Sequence, residues 1–421
     1  MRIILTLLLM ILSASSFAQK DFITLDKQTY EYYLQGDYRN LKETGDSMIA
    51  QGIDYYYLRM RMGILAYNNQ NYASATNHFT KALEFSSLDT VSRGYIYSCY
   101  LLSGRKADAN LYLASIPQEQ KNSALKSVKK PRLSEIYLGT YVTSSTTTST
   151  TNNLNYKIVE NTTVINAGIE SYFSSRIKGT IAYTNFRKSG NITESSALTR
   201  NNLNSNQNQL YAKLTAYAFS GWEFSGFAHA GSYLEKVSSG KVGGGGPLKQ
   251  TNVEYLGGVG ITKNGWKIRT GVNLSYSNFS SSTQLRGEGF FTYLPFGNPN
   301  VYLTTGGMFQ SDIKWGETYQ VNQEIGFKIF KFLWMETGII KGNAFLYSRN
   351  QGSVMSNSFL IPATTIYGNL HFLLGKRFNL TLSPYYHQND IYFWNLTTNT
   401  RTDKLTYNSF GGAVKLTYKF K

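Results

Sequence analysis

Apolar and polar side chains alternate with a period of two from residue 131 to the C-terminus. The pattern is clearest in the last segment, where one face carries Phe410, Gly412, Val414, Leu416, Tyr418 and Phe420. Successive side chains of a β-strand point to opposite faces, so such segments predict strands with one apolar face. The segments run for about 11 to 15 residues, which is long for a soluble sandwich and suits strands that cross a bilayer at a tilt.

The connections between these segments alternate in length. Tight turns fall near Ser174, Ser220, Asn264, Asn298, Phe332 and Lys376. Longer connections fall near 144–158, 189–206, 236–249, 346–358 and 391–403, and shorter ones near 280–283 and 312–316. Short turns at one end and long loops at the other are typical of outer-membrane barrels. Residues 131–421 are therefore predicted to form an antiparallel transmembrane β-barrel of about 14 strands (12–16 possible), with both ends on the periplasmic side.

The first 18 residues have the pattern of a secretory signal peptide. Arg2 gives a basic start, residues 3–12 are almost wholly apolar, and Ser16 and Ala18 are the small residues that a signal peptidase reads. We expect cleavage before Gln19 and a mature chain outside the cytoplasm. The chain has no run of 18 apolar residues, so no helical membrane span is expected. The net charge of +17 would suit nucleic-acid binding, but export makes nucleic acid an unexpected partner.

A repeat with a period of 34 residues occupies residues 19–130. Gly36-Asp37-Tyr38 lies 34 residues before Gln70-Asn71-Tyr72, and Gly104-Arg105-Lys106 lies 34 residues further on. This period is typical of tetratricopeptide repeats, in which stacked helix pairs form an α-solenoid. We predict three pairs, over 22–51, 54–86 and 90–118, and a domain boundary at Pro131, which ends helix continuation.

Resemblance to this repeat class implies a concave surface lined by the first helix of each pair. The partner-binding residues that it implies are Tyr30, Tyr33, Tyr57, Met60, Tyr67 and Asn68. The alternative is that these side chains are half-buried packing residues with their polar atoms in solvent. The single cysteine, Cys99, is expected to be a small buried apolar residue and excludes an intramolecular disulfide.

The strand face opposite the apolar one is expected to line the barrel lumen. It carries Glu170, Lys213, Glu223, Glu254, Arg269, Arg286, Glu288, Glu324, Lys328 and Glu336. These charges could form the rings of a selective channel. They could instead pair across strands and brace the interior, since an isolated charge is costly in a poorly hydrated lumen. The pattern leaves open whether the lumen is open or plugged.

Signals for catalysis are few. The four histidines are His78, His229, His371 and His387, and no nucleophile-elbow, zinc-protease, phosphate-loop or dinucleotide motif is placed on a suitable turn. We therefore predict no catalytic residue, no cofactor and no metal site. An outer-membrane lipase, which would use a serine and a histidine, is the third functional alternative.

The end of the chain carries a further signal. Gly412, Leu416, Tyr418 and Phe420 resemble the terminal pattern that the barrel-assembly machinery reads, although Lys421 follows the aromatic residue. With the signal peptide and the repeats, this layout resembles the YaiO-like outer-membrane β-barrel family. The same order occurs in exopolysaccharide exporters and in surface lipoprotein assembly modifiers.

The resemblance implies a non-enzymatic protein of the outer membrane, with its repeats in the periplasm. The repeats would recruit a periplasmic protein or polymer, and the barrel would help to export it or assemble it at the surface. The alternative is a passive channel or structural scaffold of the envelope, with the repeats only docking to neighbours.

Overall fold

The computed structural model describes most of the chain outside the signal peptide. The described residues are 22–128, 132–151, 154–194, 200–239, 248–279, 282–314, 316–344, 347–349, 351, 353–356, 361–395 and 400–420. The predicted signal peptide, residues 1–18, lies outside them. The chain divides into two compact units, a helical one that runs to Val128 and a β-sheet one.

Seven α-helices form the described part of the helical unit. They are α1 (residues 22–35), α2 (Tyr38–Ala50), α3 (Tyr56–Asn68), α4 (Tyr72–Phe85), α5 (Thr90–Leu102), α6 (Lys106–Ser115) and α7 (Ser123–Lys126), with a 3-10 turn at Gln118–Gln120. The three predicted helix pairs correspond to α1–α2, α3–α4 and α5–α6. Among these described helices, none is both long enough and apolar enough to cross a bilayer.

The 34-residue period has a backbone cause. Gly36, Gln70 and Gly104 all have positive φ, at 72°, 58° and 78°, and each sits in the turn between the two helices of a pair. In the first two turns the next residue caps the following helix, because Asp37 accepts a hydrogen bond from the Asn40 N–H and Asn71 accepts one from the Ser74 N–H. The residues that recur every 34 positions therefore include those of the turn as well as those of the helix faces.

Small residues let the paired helices approach closely. A β-carbon added at Gly63 on α3 would lie 2.7 Å from Phe79 Cε1 on α4. Phe79 is fully buried, as are Ala75, Ala82 and Cys99. Burial raises the pKa of the Cys99 thiol to about 12, so this residue is an inert core residue.

The second unit is a closed antiparallel barrel of 14 strands. Its strands are β1 (Leu133–Thr151), β2 (Leu154–Tyr172), β3 (Ile177–Glu194), β4 (Arg200–Ala218), β5 (Trp222–Ser239), β6 (Leu248–Asn264), β7 (Ile268–Phe279), β8 (Ser282–Tyr293), β9 (Val301–Asp312), β10 (Gly316–Phe330), β11 (Leu333–Gly342), β14 (Ile361–Leu374), β15 (Phe378–Asn395) and β16 (Thr400–Lys419). Two short strands, β12 (Tyr347–Arg349) and β13 (Val354–Ser356), form a separate hairpin within the connection from β11 to β14. The predicted fold class and strand number are confirmed.

The strand lengths differ from the prediction. The connection expected over 144–158 is mostly strand, since β1 runs to Thr151 and β2 starts at Leu154. The connections expected over 189–206 and 391–403 are likewise shortened to the residues between Glu194 and Arg200 and between Asn395 and Thr400. The antiparallel ladder continues into threonine- and asparagine-rich sequence, where polar composition resembles a loop although threonine favours strands.

The barrel is apolar outside and polar inside. On β7, Val272 and Leu274 are more than half exposed, whereas Asn273, Ser275 and Ser277 are buried. Val253 on β6 is 71% exposed. An outer wall of this kind matches lipid rather than water, as in membrane barrels.

Both ends of the barrel chain lie at the same end of the barrel. Glu135 near the start of β1 pairs with Lys419 at the end of β16, and Leu133 pairs with Ser171 beside the turn from β2 to β3. The turns at this end, here called the short-turn end, include the one at Ser220 and Gly221, with φ of 62° and 82°. The connection that holds β12 and β13 starts from the opposite end.

Candidate functional site

The ten charged residues predicted for the lumen lie on the inward strand face. They are Glu170 on β2, Lys213 on β4, Glu223 on β5, Glu254 on β6, Arg269 on β7, Arg286 and Glu288 on β8, Glu324 and Lys328 on β10, and Glu336 on β11. The register places Arg286 opposite the buried Ser275, for example, and Glu288 opposite Asn273. The charges are distributed around the wall rather than gathered at one point.

Charges on the first strands are paired with their neighbours. Lys178 Nζ donates a hydrogen bond of 3.0 Å to Glu170 Oε2, and Lys188 Nζ lies 3.2 Å from Glu160 Oε1. Pairing offsets part of the cost of holding a charge inside the barrel. At these positions the geometry agrees with bracing of the wall.

Arg286 belongs to a hydrogen-bonded network on β7, β8 and β9. Its side chain is 1% exposed, and its Nε and Nη2 atoms both donate to Gln310 Oε1, the former at 3.2 Å. Gln284 lies two residues before Arg286 on β8. Its Nε2 atom donates to Asp312 Oδ2 at 2.8 Å, and its Oε1 atom accepts a hydrogen bond from Ser277 Oγ at 3.1 Å. This part of the wall is cross-linked across three strands.

Glu336 is the centre of a second inward cluster. Tyr302 Oη donates to Glu336 Oε1 at 2.5 Å, Asn369 Nδ2 donates to Oε2 at 3.0 Å, and His371 Nε2 lies 3.1 Å from Oε2. The other ring nitrogen of His371 is 2.9 Å from Thr381 Oγ1. The carboxylate is thus held by side chains from two other strands, β9 and β14, and serves as a bracing point.

The histidines considered as catalytic candidates lie apart. His78 is on α4, His229 on β5, His371 on β14 and His387 on β15. The hydroxyl groups bonded to His371 and His387 belong to Thr381 and Thr365, at 2.9 and 2.8 Å, rather than to the serine a lipase would use. Within the described ranges, no three His, Cys, Asp or Glu side chains are placed to hold a metal ion.

An apolar cluster also lies on the inward face. It contains Ala182, Tyr211, Phe227, Leu256 and Phe279, from β3 to β7, with Tyr137 of β1 packed against it. Leu256 and Phe279 are 2% and 0% exposed. An apolar side chain on the inner wall loses its exposure only where other atoms fill the space beside it. The space beside this part of the inner wall is therefore filled.

Gln351, between β12 and β13, reaches this inner wall. Its Nε2 atom donates to Asn273 Oδ1 at 2.7 Å and to Ser225 Oγ at 3.2 Å. Its Oε1 atom accepts a hydrogen bond from Lys213 Nζ, and its backbone oxygen accepts one from Tyr211 Oη at 3.1 Å. Both amide hydrogens and the amide oxygen of this side chain are therefore used. We call the group of Lys213, Ser225, Asn273 and Gly260 the carboxamide cradle.

Gly260 makes room for the Gln351 side chain. It lies on β6 between Ser225 on β5 and Asn273 on β7, its register partners. An added β-carbon would meet Asn273 Oδ1, and would lie 2.8 Å from Ser225 Oγ and 2.9 Å from Gln351 Nε2. A larger residue would therefore displace the atoms that form the cradle.

The residues of the predicted assembly signal lie at the seam that closes the barrel. Gly412, Leu416 and Tyr418 of β16 pair with Val142, Leu138 and Ile136 of β1. Leu416 is on the outward face and is 45% exposed, and Phe420 packs edge-on against Tyr418 with ring centres 4.9 Å apart. The Phe420 N–H donates to the Ser134 carbonyl at 3.0 Å, so pairing continues past the end of β16.

The six predicted partner-binding residues of the helical unit lie on α1 and α3. Tyr30 and Tyr33 are on α1, and Tyr57, Met60, Tyr67 and Asn68 are on α3. Tyr57 and Tyr30 are 64% and 49% exposed, which leaves much of each ring free to meet a partner.

Tyr67, Met60 and Tyr33 are held by contacts with neighbouring helices of the unit. The Tyr67 ring centre lies 5.0 Å from that of Tyr95 and 5.8 Å from that of Tyr72, both in edge-on geometry. Met60 Sδ accepts a hydrogen bond from Ser92 Oγ at 3.0 Å, and Tyr33 packs against the buried core of α2 and α3. These contacts correspond to the packing alternative at the three positions.

A polar group that the repeat pattern did not indicate lies beside Tyr30. Arg61 Nη1 donates to Asp26 Oδ1 at 2.6 Å and to Thr29 Oγ1 at 2.9 Å, and its guanidinium lies 5.2 Å from the Tyr30 ring centre. Burial tends to raise the pKa of Asp26, but hydrogen bonds from Tyr55 and Arg61 outweigh it and hold this pKa below its usual value. The sequence signal was an acid and a base 35 residues apart, close to the repeat period.

No protein-family model matches the chain, and no curated protein sequence matches it. The YaiO-like family therefore stays a prediction. Among solved structures, the chain is similar to the translocator domain of autotransporter NalP from Neisseria meningitidis, with a TM-score of 0.32 and 12% identity over 70% of this chain and 91% of that one.

Two further similar structures come from other proteins. One is a deletion mutant of the monoaromatic hydrocarbon channel TodX, with a TM-score of 0.49 and 8% identity over 69% of this chain and 91% of that one. The other is a FadL homologue of Pseudomonas aeruginosa, with a TM-score of 0.44 and 9% identity over 72% of this chain and 93% of that one. At these TM-scores and sequence identities, no activity of these proteins can be assigned to this chain.

Proposed function

We propose that this chain is an outer-membrane protein whose helical unit recruits a periplasmic partner and whose barrel helps to pass a polymer or polypeptide to the surface. The observation that carries the proposal is a closed 14-strand barrel with an apolar outer wall and a polar inner wall. A barrel of this size is wider than side-chain filling alone requires.

The outer wall supports placement in a membrane. Val253, Val259 and Leu138 are 71%, 62% and 59% exposed, and such a surface in water would favour aggregation. The signal-peptide pattern supports export, and the outward Leu416 at the closing seam supports recognition by the barrel-assembly machinery. The outer membrane of a diderm bacterium is the bilayer that takes closed β-barrels.

The turns support one orientation of the barrel. The barrel chain begins at Leu133 and ends at Lys419, both at the short-turn end. Short turns of outer-membrane barrels face the periplasm. The helical unit, which precedes Leu133, would then be periplasmic, where a peptide or polymer partner could meet Tyr57, Tyr30 and Arg61.

A passive scaffold is the second candidate, and the paired lumen charges favour it. Lys178 with Glu170, Lys188 with Glu160, and Arg286 with Gln310 are contacts that stiffen a wall. In that case the barrel would anchor the helical unit without passing anything through the lumen.

Single-channel recording separates the two candidates. We expect the full-length protein in a planar bilayer to give a larger conductance when residues 347–356 are deleted, because this removes the segment that enters the lumen. A variant lacking residues 195–199, from the connection between β3 and β4, is the matched control and should behave as the unmodified protein. Silence of the deletion variant at all voltages would contradict a conduit and favour the scaffold.

A further inference from the structure

Gln351 belongs to a connection that starts at one end of the barrel, and it is held inside the lumen, away from that end. Ser225, Asn273 and Lys213 all lie within five residues of the short-turn ends of their strands, which are Trp222, Ile268 and Ala218. The connection that carries Gln351 leaves the opposite end at Gly342. Eight residues separate the two, and a fully extended segment of this length spans at most about 28 Å. Gln351 therefore lies at the inner wall of the lumen, away from the end where its connection starts.

The contacts at the tip of this hairpin are specific for a carboxamide. Two acceptors, Asn273 Oδ1 and Ser225 Oγ, face Nε2, and one cationic donor, Lys213 Nζ, faces Oε1. A carboxylate at the same place would keep the lysine and lose both donated hydrogen bonds. An aliphatic side chain would lose all three and leave polar groups of the cradle without their partner.

Gln351 lies in the turn at the tip of the hairpin. Gln351 has a φ of 57°, a left-handed conformation that a turn residue between two strands can adopt, and β12 pairs with β13 on either side of it. The cradle comes from four neighbouring wall strands, β4 to β7, with Gly260 on β6 leaving a gap between Ser225 and Asn273. The wall thus supplies a preformed site, and the hairpin supplies a ligand on a tether.

We propose that the carboxamide cradle is a binding site in the lumen wall and that Gln351 is its tethered ligand, so that the β12–β13 hairpin is a latched plug. The inference rests on the proposed conduit function. The hairpin is held at its tip by a few polar contacts whose groups can be hydrated when they separate, so the net cost of release is small. Release of the Gln351 side chain, together with the Tyr211 hydrogen bond to its backbone oxygen, would then free the tip of the hairpin and open the lumen.

Recording from the full-length protein tests the latch. Gln351→Ala should raise the open probability about tenfold or more, the change in an equilibrium constant that loss of a charge-assisted hydrogen bond produces. Lys213→Met should act in the same direction, and adding Gln351→Ala to it should have less effect than in the unmodified protein, because both changes remove one contact. Gln323→Ala, on the outward face of β10, is the matched control and should change nothing.

A peptide add-back tests the cradle as a site. In the variant lacking residues 347–356, a synthetic peptide of residues 343–360 added on the side of the long connections should block the current. The same peptide with alanine at position 351 should not block it at the same concentration. Equal block by both peptides would overturn the assignment of the cradle as a carboxamide site.

Cysteine labelling separates failure of the latch from failure of the conduit. Ser353→Cys should react with an impermeant maleimide about tenfold faster when Gln351→Ala is added, whether or not current flows. Native Cys99 is buried and does not compete. If deletion of 347–356 opens the channel but Gln351→Ala neither opens it nor speeds labelling, the latch is wrong and the conduit stands. If no variant conducts but labelling still accelerates, the conduit is wrong and the latch stands.

Discussion

Gln351 donates a 2.7 Å hydrogen bond from Nε2 to Asn273 Oδ1, although 78 residues separate them in the chain. One residue belongs to a connection and the other to the inner face of a wall strand. Their contact means that the space inside this barrel is occupied by the chain itself. Whether the lumen conducts ions then depends on the position of the hairpin as well as on the charges of the wall.

The first prediction concerns the cradle floor. Gly260→Ala places a methyl group against Ser225 Oγ and Gln351 Nε2, and should therefore dislodge the hairpin and raise the open probability in bilayer recordings. Gly226→Ala on β5 is the matched control, because its β-carbon would meet no atom within 4 Å. If the two variants behave alike, the space beneath Gln351 has no part in closing the lumen.

The second prediction separates two lumen arginines. Arg286 is 1% exposed and bonded to Gln310, so Arg286→Ala leaves a buried amide without its donor and should cost about 2 kcal/mol of barrel stability. Arg269 is exposed, with its guanidinium 5.6 Å from the Phe290 ring centre. Arg269→Ala should leave stability nearly unchanged and shift ion selectivity toward cations. The temperature at which each variant loses its heat-modifiable gel mobility gives the first quantity, and reversal potentials give the second.

The third prediction separates two tyrosines of α3. Tyr57 is 64% exposed, so Tyr57→Ala should change the unfolding free energy of the helical unit by less than about 0.5 kcal/mol while weakening capture of a periplasmic partner. Tyr67 packs against Tyr72 and Tyr95, so Tyr67→Ala should cost about 2 kcal/mol. Urea unfolding of residues 20–130 followed by circular dichroism measures both. Equal losses of stability would mean that Tyr57 is a packing residue as well.

The fourth prediction is a pH dependence that one histidine causes. Burial lowers the pKa of His78, and the positive charge of Arg59, whose Nη1 is 3.2 Å from His78 Nδ1, lowers it further. Since the unfolded chain then binds a proton at a higher pH than the folded one, stability should fall as the pH drops below about 6.5. It should level off once the folded form is also protonated.

His78 is the only histidine in residues 20–130, so the control is direct. The urea midpoint of this fragment should decrease between pH 7.5 and pH 5.5, and His78→Gln should remove most of that decrease. A slope that survives in the glutamine variant would assign the titration to another group.

Much of the fold could be predicted because the bilayer and the repeat leave periodic traces. Lipid favours apolar or small outward residues, and this produces the alternation in the last part of β16, from Phe410 to Phe420. In the helical unit, the turn inside each helix pair contains a residue with positive φ, which recurs at Gly36, Gln70 and Gly104. Inward residues such as Arg286 could be identified from the alternation of inward and outward side chains along each strand. That alternation does not distinguish a charge that is paired from one that is not.

Strand lengths and the lumen contacts could not be predicted for two different reasons. The threonine- and serine-rich residues 143–151 form strand, yet their composition is also that of a loop, and polarity alone cannot separate the two. Gln351 meets Lys213 and Tyr211 over separations of 138 and 140 residues. Such contacts depend on the closed three-dimensional wall and have no periodic signature in the sequence.

The orientation of the barrel in the outer membrane underlies the whole proposal, and labelling of intact cells tests it most directly. Cysteine is introduced separately at Ser196, in the connection between β3 and β4, and at Lys331, in the turn between β10 and β11. Buried Cys99 stays in place as an unreactive background. With an impermeant maleimide, Ser196→Cys should be labelled in intact cells, and Lys331→Cys only after the outer membrane is permeabilised. Labelling of Lys331→Cys in intact cells, with Ser196→Cys protected, would contradict the account.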